Sequence, residues 1–204
     1  MASTFVNDLR LNEMATGDQS GSWGTVTNTN LELIGEAFGF GTEAITTNAN
    51  THTTTIADGA TDAGRSMFLK YTGTLDSACT ITIGPNTISK MWFIENATSG
   101  SQNIIISQGS GANVTIAAGQ TKAVYSDGAG AGAAFVDAFN SLSVGTLTGT
   151  TGTFSGAVSL GGIAYPTSDG TNGQALVTNG SGTVSFGSAG ISTGKAIAMA
   201  IVFG

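Results

Sequence analysis

Residues 80–95, TITIGPNTISKMWFIE, decide the fold class. Thr80 to Ile83 alternates threonine with isoleucine, the period of two that sends successive side chains to opposite faces of a strand. Gly84-Pro85-Asn86 interrupts that pattern with turn residues. Met91 to Glu95 then resumes it as a heavily apolar strand. Upstream, Ile45 to Ile56 is rich in threonine, and Met67 to Thr72 (MFLKYT) sets apolar residues on both faces. Cys79, the lone cysteine, lies in the strand-like run Ala78–Ile81 and reads as a buried apolar thiol. Downstream, Asn103–Ser107, Val114–Ala117, Ala123–Ser126 and Ala134–Phe139 follow one another, with Gly109–Asn113 and Gly128–Ala134 as turns. Short strands at intervals of roughly 8–12 residues predict a β-sandwich, jelly-roll-like, over residues 42–139.

Ahead of this module lies one helical pattern. Thr29 and Glu32 have capping-box spacing. Leu31, Ile34, Ala37 and Phe38 then fall on one face, and Gly39 supplies a stop. The loop Gly17–Gly24 precedes it, with Trp23 as its one large apolar anchor. Gly35 costs such a helix about 1 kcal/mol relative to alanine, and Glu32 and Glu36 repel at i, i+4. At about ten residues it needs a packing partner to persist. Residues 1–41 therefore read as an attachment segment. Trp23, Leu31, Ile34 and Phe38 are expected to form the apolar part of a contact, and Glu32 and Glu36 to face a basic surface.

Beyond the module, residues 140–163 are almost uncharged and rich in glycine and threonine. Their apolar residues Leu142, Val144, Leu147, Phe154, Val158 and Leu160 are too sparse for the core of a single chain. Three intertwined copies would give them a thin axial core and pair the strand edges, which makes a trimeric β shaft the expectation. Residues 164–204 form the tip. Strands Ala175–Thr178 and Thr183–Phe186 flank a turn and predict a hairpin. At the end, Ala196, Ala198 and Ala200 alternate with Ile197, Met199, Ile201 and Phe203, a period of two that predicts a strand buried against other copies.

Composition supports a β-structural protein. Charged residues are only 9%, against roughly 25% in ordinary soluble domains, and Gly is 31 of 204 while Pro is 2. The net charge of −7 sits wholly in residues 1–62, where eight acids face Arg10 alone. Complementary fields steer assembly, so a basic partner surface is the natural counterpart. The lack of a basic patch argues against nucleic-acid binding. The start MASTFVNDLR has no apolar core of a signal peptide, and Ala196–Phe203 is too short to span a bilayer, so no membrane insertion is expected.

No reaction centre is visible. His52 is the only histidine and has no Cys or acid cluster beside it in sequence, so three copies around an axis would be needed to ring an ion. Asp58, Asp62 and Asp76 lack the spacing of a calcium loop. Nucleophile-elbow, zincin and Walker patterns do not occur. Trp92, Phe93 and Tyr71 are the aromatics that could stack on sugar, although in apolar strands such residues are more often core. No catalytic residue, metal or cofactor is expected.

Several stretches resemble marine bacteriophage tail-fibre and minor virion structural proteins. They are Leu9-Arg10-Leu11, Ala15-Thr16-Gly17 with Ser20-Gly21-Ser22-Trp23-Gly24, and Thr27–Leu31. Gly73–Asn86, Gly109–Ile116 and Gly194–Gly204 complete the likeness. The resemblance implies a homotrimer attached through its N-terminal segment to other virion proteins, assembled in the host cytoplasm and supporting host adsorption. It leaves open the tail, the portal vertex or the capsid, with a capsid-decoration, head-fibre or tail-adaptor role as an alternative. A carbohydrate-binding module recognising a host surface glycan is a further alternative.

Overall fold

The computed structural model describes residues 3–146, 148–154, 156–190 and 193–203. It divides into two compact units, Met1–Ser143 and Val144–Gly204.

The first unit begins with helix α1 (Trp23–Ala37). Nine strands follow: β1 (Phe40–Ala44), β2 (Thr51–Thr55), β3 (Phe68–Thr72), β4 (Cys79–Gly84), β5 (Met91–Asn96), β6 (Ile104–Ser107), β7 (Val114–Ile116), β8 (Thr121–Ser126) and β9 (Phe135–Asp137). They form two sheets, β1-β3-β5-β8-β9 and β2-β4-β6-β7. Most strands expected from sequence lie near their expected bounds; the exceptions are β1, which starts before residue 42, and β2, which takes only Thr51–Thr55 of the expected run Ile45–Ile56.

The pairing is not that of a jelly roll, which is antiparallel throughout. β1, β3 and β5 run parallel, as do β2, β4 and β6, and only β7, β8 and β9 join antiparallel. The chain alternates between the sheets for six consecutive strands, advancing one rung each time it returns. This is a short coil of parallel strands, closed at one end by antiparallel ones. Its corners demand glycine: Gly73 and Gly100 have φ of +129° and +97°, and a Cβ on Gly100 would lie 1.8 Å from the Leu75 carbonyl oxygen.

Alternation along each strand fills one core between the sheets. Leu69, Tyr71, Trp92, Ile94, Val124 and Phe135 come from one sheet; Cys79, Ile81, Ile83, Ile104, Ile106 and Ile116 come from the other. Trp92 packs on Phe135 at 5.5 Å and donates its indole N–H to the Gly64 carbonyl at 2.8 Å. Cys79 is fully buried, as expected.

The second unit contains two small antiparallel hairpins, β10 (Ser159–Leu160) with β11 (Ile163–Ala164) and β12 (Gln174–Thr178) with β13 (Val184–Ser188). The second is the hairpin expected from sequence. A helix, α2 (Thr193–Phe203), ends the chain. The strand expected there is thus overturned. Alanine alternating with isoleucine and methionine over so short a run suits either form, and with no neighbouring strand to pair with among the described residues, alanine's helix propensity decides.

Candidate docking surface

Helix α1 starts six residues before the expected cap at Thr29. Ser22 is the N-cap, with no side-chain hydrogen bond to the helix, so the Thr29–Glu32 pair is interior and Trp23 belongs to the first turn rather than to a loop. The helix ends in a tightened turn, with the amide of Phe38 bonded to Gly35 O and that of Gly39 to Glu36 O.

At about 100° per residue, the helix carries three separate faces. Val26, Asn30, Leu33 and Ala37 form the inward one; Leu33 and Ala37 are buried. Asn30 fixes this face to the N-terminal arm: its Oδ1 accepts the Asn12 amide at 3.0 Å and its Nδ2 donates to Asn12 O at 2.9 Å. A second, apolar stripe runs through Trp23, Ile34, Leu31 and Phe38. Trp23, Leu31 and Phe38 are 66%, 61% and 72% exposed, and Ile34 is half-buried. The structure therefore gathers these four expected contact residues on one outward stripe, about 20 Å long.

Glu32 and Glu36 lie on a third face, away from the stripe. Glu32 is exposed, but Glu36 turns toward its own chain. Its Oε1 accepts the Asp62 amide at 2.8 Å and its Oε2 lies 3.9 Å from Arg65 Nε. Glu36 is thus committed internally, and the expected acidic pair facing one basic surface reduces to Glu32.

Arg65, which sequence reading passed over, organises this corner. It is fully buried and donates through Nη2 to Ala57 O and Ala60 O at 2.7 Å, and to Asp62 Oδ2 at 2.9 Å. Lys90 donates through Nζ to Arg65 O and lies over the Trp92 ring at 4.8 Å. Burial pulls the Lys90 ammonium down to about 8. A buried arginine holding backbone carbonyls leaves no period in sequence; the only signal is an isolated base in an acidic third.

A second missed cluster ties the sheets together near β1 and β2. His52 Nε2 and Glu43 Oε1 are 2.7 Å apart, Thr54 Oγ1 donates to Glu43 Oε2 at 2.9 Å, and Thr54 meets the Tyr71 hydroxyl at 2.7 Å. Burial raises the Tyr71 phenol well above its ordinary range. His52 therefore points between the sheets, toward Glu43. Among the described residues no group of three or more His, Cys, Asp or Glu side chains gathers to hold a metal. Tyr71 and Trp92 are core, which removes them from any glycan-stacking role; only Phe93 of that trio faces outward.

In the second unit the expected shaft and tip residues are exposed. Val144, Phe154 and Leu160 are open to solvent, Val158 is half-buried, and Leu147 lies outside the described residues. Leu142, just before the unit, is exposed as well. Ile197, Met199, Ile201 and Phe203 are exposed on α2, where helical geometry divides them between two faces. No helix among the described residues is long and apolar enough to cross a membrane. No protein-family model, curated protein or solved structure matches this chain.

Proposed function

We propose that this chain is a non-enzymatic virion structural protein, a homotrimeric bacteriophage tail fibre or short fibre joined to other virion proteins through residues 1–41 and supporting host adsorption. The observation that carries the reading is the second unit: none of its described residues with assigned burial is buried, although it holds Phe154, Leu160, Leu176, Ile201 and Phe203. A chain with this much exposed apolar surface acquires a core only by association. The resemblance to phage fibre proteins supplies the partner class, and the outward stripe of α1 supplies an attachment surface separate from the face that docks on its own domain.

Mass photometry of the full chain is expected to give a trimer, and a folded monomer would overturn that part of the reading. Attachment is tested by changing Trp23, Leu31 and Phe38 to Ser together. Leu33 and Ala37 stay in place, so the sandwich keeps its helix, and incorporation into virions is expected to fall at least tenfold. Undiminished incorporation would remove the attachment role. Cryo-electron microscopy of the virion would then assign the position to tail, portal vertex or capsid.

A further inference from the structure

The two outer faces of the sandwich are built from different residues. On the four-stranded sheet, the outward positions include Thr51, Thr53, Thr55, Thr80, Thr82 and Thr115. Such short hydroxyl side chains suit a sheet face left in solvent. On the five-stranded sheet, the corresponding row is aromatic over its three parallel strands and ends at the buried Ala123 of β8. Phe40, Phe68 and Phe93 lie in register across β1, β3 and β5, and Met91 and Tyr125 are paired in the next row. Phe40 is 61% exposed and both Met91 and Tyr125 are exposed. The charges on that face are Lys70 and Glu95, in register and 3.3 Å apart. An aromatic row of this kind on a sheet marks a covered surface.

We propose that the outer face of the five-stranded sheet packs against the same face of other copies of this chain, with Phe40, Phe68 and Phe93 in the shared core. This rests on the homotrimer reading above and gives it a second contact. Three features choose a copy of the chain as the occupant. The Phe40 and Phe68 rings stack on each other along the sheet, with centroids 5.3 Å apart and planes 23° apart, so they turn edges outward. A sugar or base needs an open ring face, and phenylalanine offers it no hydrogen bond. Lys70 is engaged with Glu95, which leaves no lone cation for phosphate. Finally, the chain carries −7, all of it within residues 1–62, so copies repel through that region. This face has one acid and one base, and copies meeting here find opposite charges and no net repulsion.

The test compares the full chain with a Phe68→Lys/Phe93→Lys variant and a Thr53→Lys/Thr82→Lys control. Mass photometry across a dilution series reads the oligomer, while circular dichroism and fluorescence of the buried Trp92 read the fold. The phenylalanine variant is expected to stay folded and to dissociate at concentrations at least tenfold higher than wild type, with the control unchanged. A folded phenylalanine variant with wild-type assembly overturns the contact and leaves the trimer reading standing. A monomeric wild type overturns both. If the lysines prevent folding, Phe40→Cys treated with a short bismaleimide decides the matter, because Cys79 is buried and unreactive. Cross-linked copies support the contact, and their absence overturns it.

Discussion

The two units of this chain use similar residues to opposite effect. In the first, parallel strands stack in register and bring isoleucine, leucine and tryptophan from two sheets into one core. In the second, two small hairpins joined by a single bridge between Ala164 and Thr183, and a helix of eleven residues, leave apolar side chains outside. Apolar content alone therefore does not make a core. A single chain must also supply a second layer against which the first can close, and residues 144–203 supply none among those described.

The sharpest way to test this contrast is to cut into the first core. Trp92→Ala removes the largest fully buried side chain together with its bond to Gly64 O, and is expected to lower stability by about 3–5 kcal/mol in chemical denaturation. A loss under 1 kcal/mol would mean that the sheets do not close on one core. Next comes Arg65→Met, which removes the donor from the Ala57 and Ala60 carbonyls and one bond from Asp62, whose carboxylate keeps the backbone amides of residues 57 and 65. The expected loss is about 2–4 kcal/mol, measured the same way.

Lys90 gives a smaller, pH-dependent effect. Burial lowers its folded pKa, so the unfolded chain binds more protons between about pH 8 and the ordinary lysine value. Stability from this group therefore rises with pH through that window and is lost as pH falls back through about 8. Between pH 8 and 9.5, below the ordinary tyrosine range, wild type should gain about 1 kcal/mol relative to Lys90→Met. Parallel curves for the two proteins would show that Lys90 is solvated. The smallest effect belongs to the second unit. In chain diluted until it dissociates, Phe154→Ser with Leu176→Ser should move the sandwich transition by less than about 0.5 kcal/mol, because both side chains are exposed in the single chain. A larger shift would show that the units share a core.

Much of the first unit was legible in its sequence because a strand with one buried face writes a period of two. Thr80–Ile83 and Met91–Glu95 carry that period plainly, and β4 and β5 occupy them. Pairing direction was not legible. It depends on which distant strand lies alongside, and Phe40, Phe68 and Phe93 become one row only through a register set by corners roughly 25–29 residues apart. The outward stripe of α1 was half legible: Leu31, Ile34 and Phe38 share a face by spacing alone, whereas Trp23 looked like a loop residue because glycine and serine surround it. At the other end, the alternation Ala196–Phe203 pointed to a strand because a run that short carries the helical period too weakly to decide.

The alternating path between sheets has a consequence for length. Each return of the chain adds one rung to both sheets and leaves the rungs on either side in place. Duplicating or deleting the segment that makes one such return would therefore add or remove a whole turn without altering helix α1 or the antiparallel closure. The length of the two sheets would then change in discrete steps of about 4.8 Å, the spacing between neighbouring strands.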